Sequence, residues 1–365
     1  MTTLYGIKNC DTVKRARKWL AERNIEFIFH DVRADGLELA QINSWIEKSD
    51  WETVLNRRGT TWRKLDQSLQ KDIARDLLKE LLRRGENIVS VFGPAVIKDK
   101  KDSFIELAKE KKIPNFDILS LKNKNMIDFY KTLNADICLM AFVTDYIPKD
   151  ILDSTRLGTI QYHPSLLPYH KGPSAISWAI KKGRKETGVT IFWANEELDG
   201  GDILLTKICK IEQNDTLKTL FFKKLFPLII SGMLEGLELV KAGNPPRLKQ
   251  NKNEGSYEGW FTKDLAEIDW NKNVNEVHDL IRAADSVPGA WSRINNFNID
   301  IFSSSKLNKS SEPGKIISIT DEGVLISAKD GSVLIKEMKT KNQPKMHANK
   351  LLESLKIKIG EKFKS

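Results

Sequence analysis

Two stretches of the chain put side chains able to move protons where the backbone is expected to turn. In residues 161–172, QYHPSLLPYHKG, His163 ends the apolar run 157–162 and precedes Pro164. In residues 198–204, LDGGDIL, Asp199 follows a second apolar run, 188–194, and precedes Gly200 and Gly201. An imidazole paired with a carboxylate can accept, hold and return a proton, and the charged ring can steady an oxyanion. Proline confines the residue before it to an extended backbone, and Asp-Gly-Gly predicts a tight turn whose glycines reach positive φ. Both side chains are therefore expected at strand exits, meeting at the carboxyl edge of a sheet, where open α/β folds bind ligands. Taken singly, His163-Pro164 also reads as a strand terminator and Asp199-Gly200 as a hairpin turn. The pairing points to chemistry.

A further chemical candidate lies near the N-terminus. Cys10 precedes a helix expected over 11–23, capped by Asp11 and flanked by the strand-like runs TTLYGI and IEFIFHDV. At a helix start the backbone N–H groups and the dipole favour a thiolate, and Lys14 one turn on adds positive charge. This βαβ unit belongs to a first segment, 1–72.

The elements that must position His163 and Asp199 follow in alternation. QSLQKDIARDLLKELLRRGENIVSVF reads as an amphipathic helix running into a strand. SFIELAKEKK and NMIDFYKTLN read as helices, and ADICLMAFV as an uninterrupted apolar strand of the buried, parallel kind. The plan over 73–251 is Rossmann-like, α/β, but without the GxGxxG fingerprint, so a nicotinamide dinucleotide is not supported. Two helices, TLKTLFFKKLF and LIISGMLEGLELVKAG, close that domain, and Pro245-Pro246 opens a polar linker. From Tyr257, within a third segment 252–345, short strands at close spacing suggest a small β-barrel, with WSRINNFNIDIF as one strand. The lysine-rich end, 346–365, is expected as a basic tail and a solvated helix.

Composition narrows the class. With 40% hydrophobic and 30% charged residues the chain reads as a soluble globular protein of cytoplasmic type. No apolar stretch approaches the ~20 residues that span a bilayer, so no membrane partner is expected. Three cysteines, Cys10, Cys138 and Cys209, lie too far apart for a disulfide framework or a CxxC zinc site, and no metal is expected. A net charge of +10 suits polyanionic partners such as tRNA or a polyglutamylated folate, and equally a lysine-rich solvated surface.

The motifs also carry a resemblance. HPSLLP, then KGPSAISWAI, then FWANEELDGGDIL, is similar to the folate-dependent formyltransferases, a family that includes methionyl-tRNA formyltransferase and the hydrolase domain of 10-formyltetrahydrofolate dehydrogenase. LFPLIISGMLEGLELVKAGNPPRL, SYEGW and IRAADSVPGAW resemble the last of these most. The resemblance implies a Rossmann-like formyltransferase domain followed by an OB-like β-barrel, with 10-formyltetrahydrofolate as formyl donor. It makes His163 the proton shuttle or oxyanion stabiliser and Asp199 the group that orients it or the attacking water. Relatives usually carry Asn two residues before the His, as an amide donor to the formyl oxygen; Gln161 stands there, as the hydrolase branch also departs from Asn. Thr144, Asp145 and Tyr146, then Ser165, Leu166 and Leu167, then Gly200, Gly201 and Asp202 are implied to surround the folate. The acceptor is left open among water, tRNA and a small amine.

Near the start, YGIKNCDTVKRARKWL, FHDVRADGL and RGTTWRKL resemble the glutathione-linked, thioredoxin-fold arsenate reductases. That resemblance implies a nucleophilic Cys10 with Lys14, Arg57 and Arg58 beside it, and thiol or arsenate reduction as a function of another class. The likeness stops halfway, leaving a partial thioredoxin-like βαβ segment, and the formyltransferase-like part then starts at its first helix without an opening strand. Either residues 3–7 are lent to that sheet or the chain is an imperfect fusion.

Overall fold

The computed structural model describes residues 2–6, 8, 11–32, 34–38, 41, 44, 45, 72–94, 102–143 and 146–364. The chain divides into two compact units, 1–70 and 71–365.

In the first unit, β1 (Thr2–Gly6), α1 (Asp11–Glu22) and β2 (Phe27–Asp31) form the expected βαβ unit. The two strands pair in parallel from Thr2↔Phe27 to Gly6↔Asp31, in a sheet of their own. The expectation that residues 3–7 are lent elsewhere is thereby corrected. A strand joined to its neighbour through one short helix closes a small loop, and the nearby partner wins on chain entropy.

The second unit begins with α2 (Ile73–Arg83), capped by the Asp72 carboxylate, which accepts the Arg75 N–H at 3.1 Å. It continues through β3 (Val91–Gly93), α3 (Ser103–Glu110), β4 (Asn115–Asp117), α4 (Lys124–Thr132), β5 (Cys138–Met140) and α5 (Lys149–Leu152). Then come β6 (Thr159–His163), α6 (Ala175–Lys181), β7 (Glu186–Trp193), β8 (Ile203–Lys210), α7 (Leu217–Leu220) and α8 (Phe226–Lys241). β3 pairs with β4 in parallel, and β5–β6–β7–β8 form a separate four-stranded sheet. Among the described residues no strand joins the two sheets. A cavity of about 600 Å³ lies there, lined by Val91 and Phe92 of β3, Leu139 and Met140 of β5, and Leu77 and Leu78 of α2.

One expectation of direction is overturned. β6 runs parallel to β5, but β7 is antiparallel to β6, with His163 opposite Thr190 and Ile160 opposite Trp193. The strand leading to Asp199 therefore exits at the far end of β6 from His163, not beside it. The loop 194–202 has to fold back to bring the two side chains together.

The main core packs α8 against β6, β7 and β8. Gly232 and Gly236 let the helix approach closely, since a Cβ at either would stand 3.3 Å from Ile191. The same core continues into α9 (Val274–Ala283) and an antiparallel sheet in the order β11–β12–β13–β10–β9, with β14 on β13. These strands are β9 (Ala290–Ile294), β10 (Phe297–Leu307), β11 (Ile316–Thr320), β12 (Gly323–Ser327), β13 (Ser332–Thr340) and β14 (Gln343–His347). WSRINNFNIDIF is a hairpin, not one strand: Asn295 turns at φ 50° between β9 and β10. The C-terminal end is not a solvated helix. After α10 (Ala348–Ser354), Ile357 and Phe363 are buried, and Lys362 and Lys364 bridge to Lys315 beside β11 and to Arg293 of β9. The tail thus links the two end strands, as a barrel requires. Among the described residues no helix is long and apolar enough to cross a membrane.

Candidate active site

β6 delivers His163 to its carboxyl end, and strand alternation puts Gln161 on the same face, partly exposed. His163 and Asp199 are both buried, and His163 Nδ1 lies 3.4 Å from Asp199 Oδ1. On the other side of the ring, Nε2 is 2.7 Å from the His170 carbonyl. A carbonyl only accepts, so this contact calls for a proton on Nε2 and leaves Nδ1 facing Asp199.

Three short segments hold this geometry. The Thr190 hydroxyl donates to the Ser165 carbonyl at 2.7 Å and accepts the Leu167 N–H at 3.1 Å, tying the HPSLL loop to β7. Asp199 Oδ2 accepts the Gly172 N–H at 2.8 Å, fixing the carboxylate against the far end of that loop. The Gln250 amide donates to the carbonyls of Asp199 and Gly201, both at 2.8 Å, and pins the folded-back loop.

The glycine reading changes in detail. Positive φ in this turn belongs to Asp199 itself, at 52°, and Gly200 and Gly201 do not share it. Gly201 is required for space: a Cβ there would stand 1.6 Å from the Trp193 carbonyl oxygen. Aspartate tolerates the left-handed region because its short side chain bonds to nearby backbone.

The remaining expected residues divide. Ser165 is fully buried and its hydroxyl donates to the Tyr169 carbonyl at 2.6 Å, so it braces the loop. Leu167 is buried, Leu166 and Gly200 are half-buried, and the half-buried Asp202 accepts the Trp193 N–H through its carbonyl at 2.8 Å. β5 and β6 leave the sheet at the same end, which places the loop after β5 beside the His163 exit. Tyr146 and Phe142 expose their rings on that loop, 63% and 69% accessible, and Phe142 has φ 60°. Sequence reasoning named Tyr146 and missed Phe142. Thr144 and Asp145 lie outside the described residues, as do Cys10, Arg57 and Arg58; Lys14 is exposed on α1. Among the described residues no group of three or more His, Cys, Asp or Glu side chains could hold a metal.

Sequence reasoning also missed His170 and Glu258. His170 is buried with φ 56°, its Nδ1 lies 3.3 Å from Glu258 Oε2, and Lys182 donates to the other carboxylate oxygen. Burial pushes the His170 imidazole pKa below its usual range, against the pull of Glu258. Burial alone would raise the Glu258 carboxyl; hydrogen bonds from Lys182 and Ser256 and the neighbouring positive charge outweigh it and hold the pKa low. A second histidine inside the YHKG stretch was the available signal.

A buried imidazole and carboxylate, fed by a short strand and a folded-back hairpin loop, meet on an α/β scaffold, and the chain belongs to the formyl transferase family. The formyl transferase model matches residues 69–225, its C-terminal domain residues 261–356, and the ArsC family residues 5–90. The chain is 36% identical over 280 residues to human mitochondrial 10-formyltetrahydrofolate dehydrogenase, covering 73% of this chain and 30% of that protein. It therefore spans under a third of that relative's length. It is 32% identical over 257 residues to methionyl-tRNA formyltransferase of Clostridioides difficile, covering 70% of this chain and 83% of that protein. In fold it is similar to HypX from Aquifex aeolicus, solved in complex with tetrahydrofolic acid, with a TM-score of 0.54 at 23% identity over 69% of this chain and 44% of that one. Over its greater part the chain is thus a member of the formyl transferase family, with an ArsC-like segment at its start.

Proposed function

We propose that the chain takes the formyl group from 10-formyltetrahydrofolate and passes it to water, with His163, Asp199 and Gln161 as the reacting protein groups. The observation that carries this reading is the placing of the buried ring, with Nε2 2.7 Å from the His170 carbonyl and Nδ1 3.4 Å from Asp199.

Water oriented by Asp199 attacks the formyl carbon and its proton passes to the His163–Asp199 pair, while the Gln161 amide donates to the oxyanion that forms. Collapse breaks the bond from carbon to N10, and the pair returns the proton to that nitrogen. Formate and tetrahydrofolate leave. The rings of Phe142 and Tyr146, on the loop beside this exit, are suited to lie against a pterin. The identity to 10-formyltetrahydrofolate dehydrogenase supports 10-formyltetrahydrofolate as donor, and Gln161 in place of the Asn expected for transfer favours water as acceptor.

A second reading, an amine acceptor on tRNA or a small molecule, has its own support: the match to methionyl-tRNA formyltransferase extends over 83% of that protein, and the net charge is +10. Incubation with 10-formyltetrahydrofolate alone, then with charged initiator tRNA, separates the two. Tetrahydrofolate released without acceptor supports hydrolysis; release only with tRNA supports transfer; none in either arm, from folded protein, defeats both. Arsenate or disulfide reduction through Cys10 is the reading of another class, and Cys10→Ser would abolish it while leaving folate turnover intact.

A further inference from the structure

Glu258 lies far from His163 in the chain, in the connection that leads to the C-terminal sheet, yet it is bound to the loop that carries the His170 carbonyl. Residues 256–258 run alongside residues 170–172: Lys171 N–H donates to the Ser256 carbonyl at 2.9 Å, and Glu258 N–H donates to the Lys171 carbonyl at 3.0 Å. His170 N–H donates to the Ser256 hydroxyl at 3.0 Å. Gly172, at φ 102°, gives the crossing its clearance, since a Cβ there would stand 2.3 Å from the Glu258 carbonyl oxygen.

His170 is held in a backbone conformation that histidine rarely adopts, and such a residue stays there only when its surroundings over-determine it. Its backbone N–H goes to Ser256, its ring Nδ1 to Glu258, and its carbonyl to His163. Among the described residues its Nε2 is buried without a partner, so within this set the ring's anchor is the Glu258 carboxylate. That carboxylate is itself fixed by Lys182.

We propose that Glu258 is a positioning residue for His163, acting through His170: by holding the His170 ring it keeps that residue's carbonyl on Nε2 of His163 and reserves Nδ1 for proton exchange beside Asp199. Glu258 does not touch the reacting atoms. Without it the carbonyl drifts, the His163 ring loses its single tautomer, and the fraction of molecules with a competent Nδ1 falls.

The kinetic consequence rests on the folate reading above; the consequence for the ring does not, and the test keeps the two apart. The chain has five histidines, few enough for ring nitrogens to be assigned by NMR with a His163→Asn reference. In the parent, His163 shows one tautomer with the proton on Nε2. In Glu258→Ala, folded by circular dichroism, its ring nitrogens shift toward a mixture; in Glu258→Gln, whose amide oxygen still accepts from His170, they stay near the parent values. With 10-formyltetrahydrofolate as substrate, kcat in Glu258→Ala falls about tenfold with KM little changed and the pH–rate profile displaced, and Glu258→Gln restores most of the rate. Unchanged His163 nitrogens in folded Glu258→Ala overturn the proposal, whatever the activity. So does a loss confined to stability or KM that Glu258→Gln does not relieve. A parent that does not turn over the folate refutes the functional reading alone, because the ring signals still decide this one.

Discussion

The two sides of the formyltransferase sheet are built to different standards. On the side of β6, β7 and β8, Ile160, Val189 and Ile191 are fully buried against α8, and the core runs on without a break into the C-terminal sheet. On the side of β3 and β5 the apolar residues fall into two small clusters, one around Leu78, Val91 and Ile105 and one around Tyr130, Met140 and Ile151. The 600 Å³ cavity lies between their strands. His163 sits on β6, and its loop is tied to Thr190 of β7, to Asp199 and to Ser256 of the connection after α8, none of them on β3 or β5. The supports of the His163 loop thus lie apart from the cavity between β3 and β5, while the loop after β5 brings Phe142 and Tyr146 to the site from that side. Packing continuity, more than completeness of the sheet, preserves it.

The largest expected effect tests whether the packed side is where the chemistry happens. His163→Ala should lower kcat by about 10²–10⁴-fold, with circular dichroism and melting temperature near those of the parent. A loss of less than tenfold would move the reaction elsewhere.

Next, one kind of substitution placed on each side measures the difference in tolerance. Gly201→Ala drives a Cβ to 1.6 Å from the Trp193 backbone oxygen, which cannot yield without moving β7 or the Asp199 loop. It should cost about 3 kcal/mol in urea unfolding and most of the activity. Gly93→Ala at the end of β3 meets side chains and no backbone, Ile105 Cδ1 at 2.7 Å with Ile105 Cγ1 and Phe104 Cδ1 at 3.2 Å, and side chains can shift where a carbonyl cannot. A cost of about 1 kcal/mol with activity retained is expected there. Equal costs would remove the contrast.

Deleting core side chains probes the same contrast more gently. Ile191→Ala, beneath Gly232 and Gly236 of α8, opens a hole in close packing and should cost about 4 kcal/mol. Leu78→Ala, on the wall of the existing cavity, removes fewer contacts and should cost about 2 kcal/mol.

Much of the packed side could be read from the sequence, and the reasons for the exceptions are physical. Pro164 after an apolar run marked the end of β6, and periodicity marked α2 and α8. Direction was not legible: β6, α6 and β7 follow the strand–helix–strand rhythm of a parallel unit, and the register from Ile160↔Trp193 to His163↔Thr190 shows that β7 runs the other way. The need for Gly201 comes from Trp193, a contact that the loop creates and local sequence does not announce. In the tail, lysines alternate with Ile357 and Phe363, so charge hid two core residues in a segment whose Lys362 and Lys364 bridge the ends of a sheet. Glu258 looked like one carboxylate among many, because its role depends on a loop far from it in the chain.

The smallest effect concerns acid stability, and it separates the two ends of the His170–Glu258 contact. The His170 pKa is depressed in the folded chain, so below the unfolded value of about 6.5 the unfolded chain binds a proton that the folded one refuses. Stability therefore rises with pH up to about 6.5 and falls below it, until the folded ring also charges. Glu258 is depressed as well, but as a carboxylate its contribution is present above the unfolded value of about 4.3 and disappears as pH drops through the lower folded value. His170→Gln should flatten the melting-temperature profile just below pH 6.5 and leave the limb below pH 4.3, whereas Glu258→Gln should flatten that lower limb. Of the charged groups facing the pair, Lys182 and Arg184 lower the His170 pKa further, and Lys182 lowers that of Glu258. If His170→Gln leaves the slope below pH 6.5 as steep as in the parent, the ring is not held neutral by burial, and its anchoring to Glu258 has a different electrostatic basis.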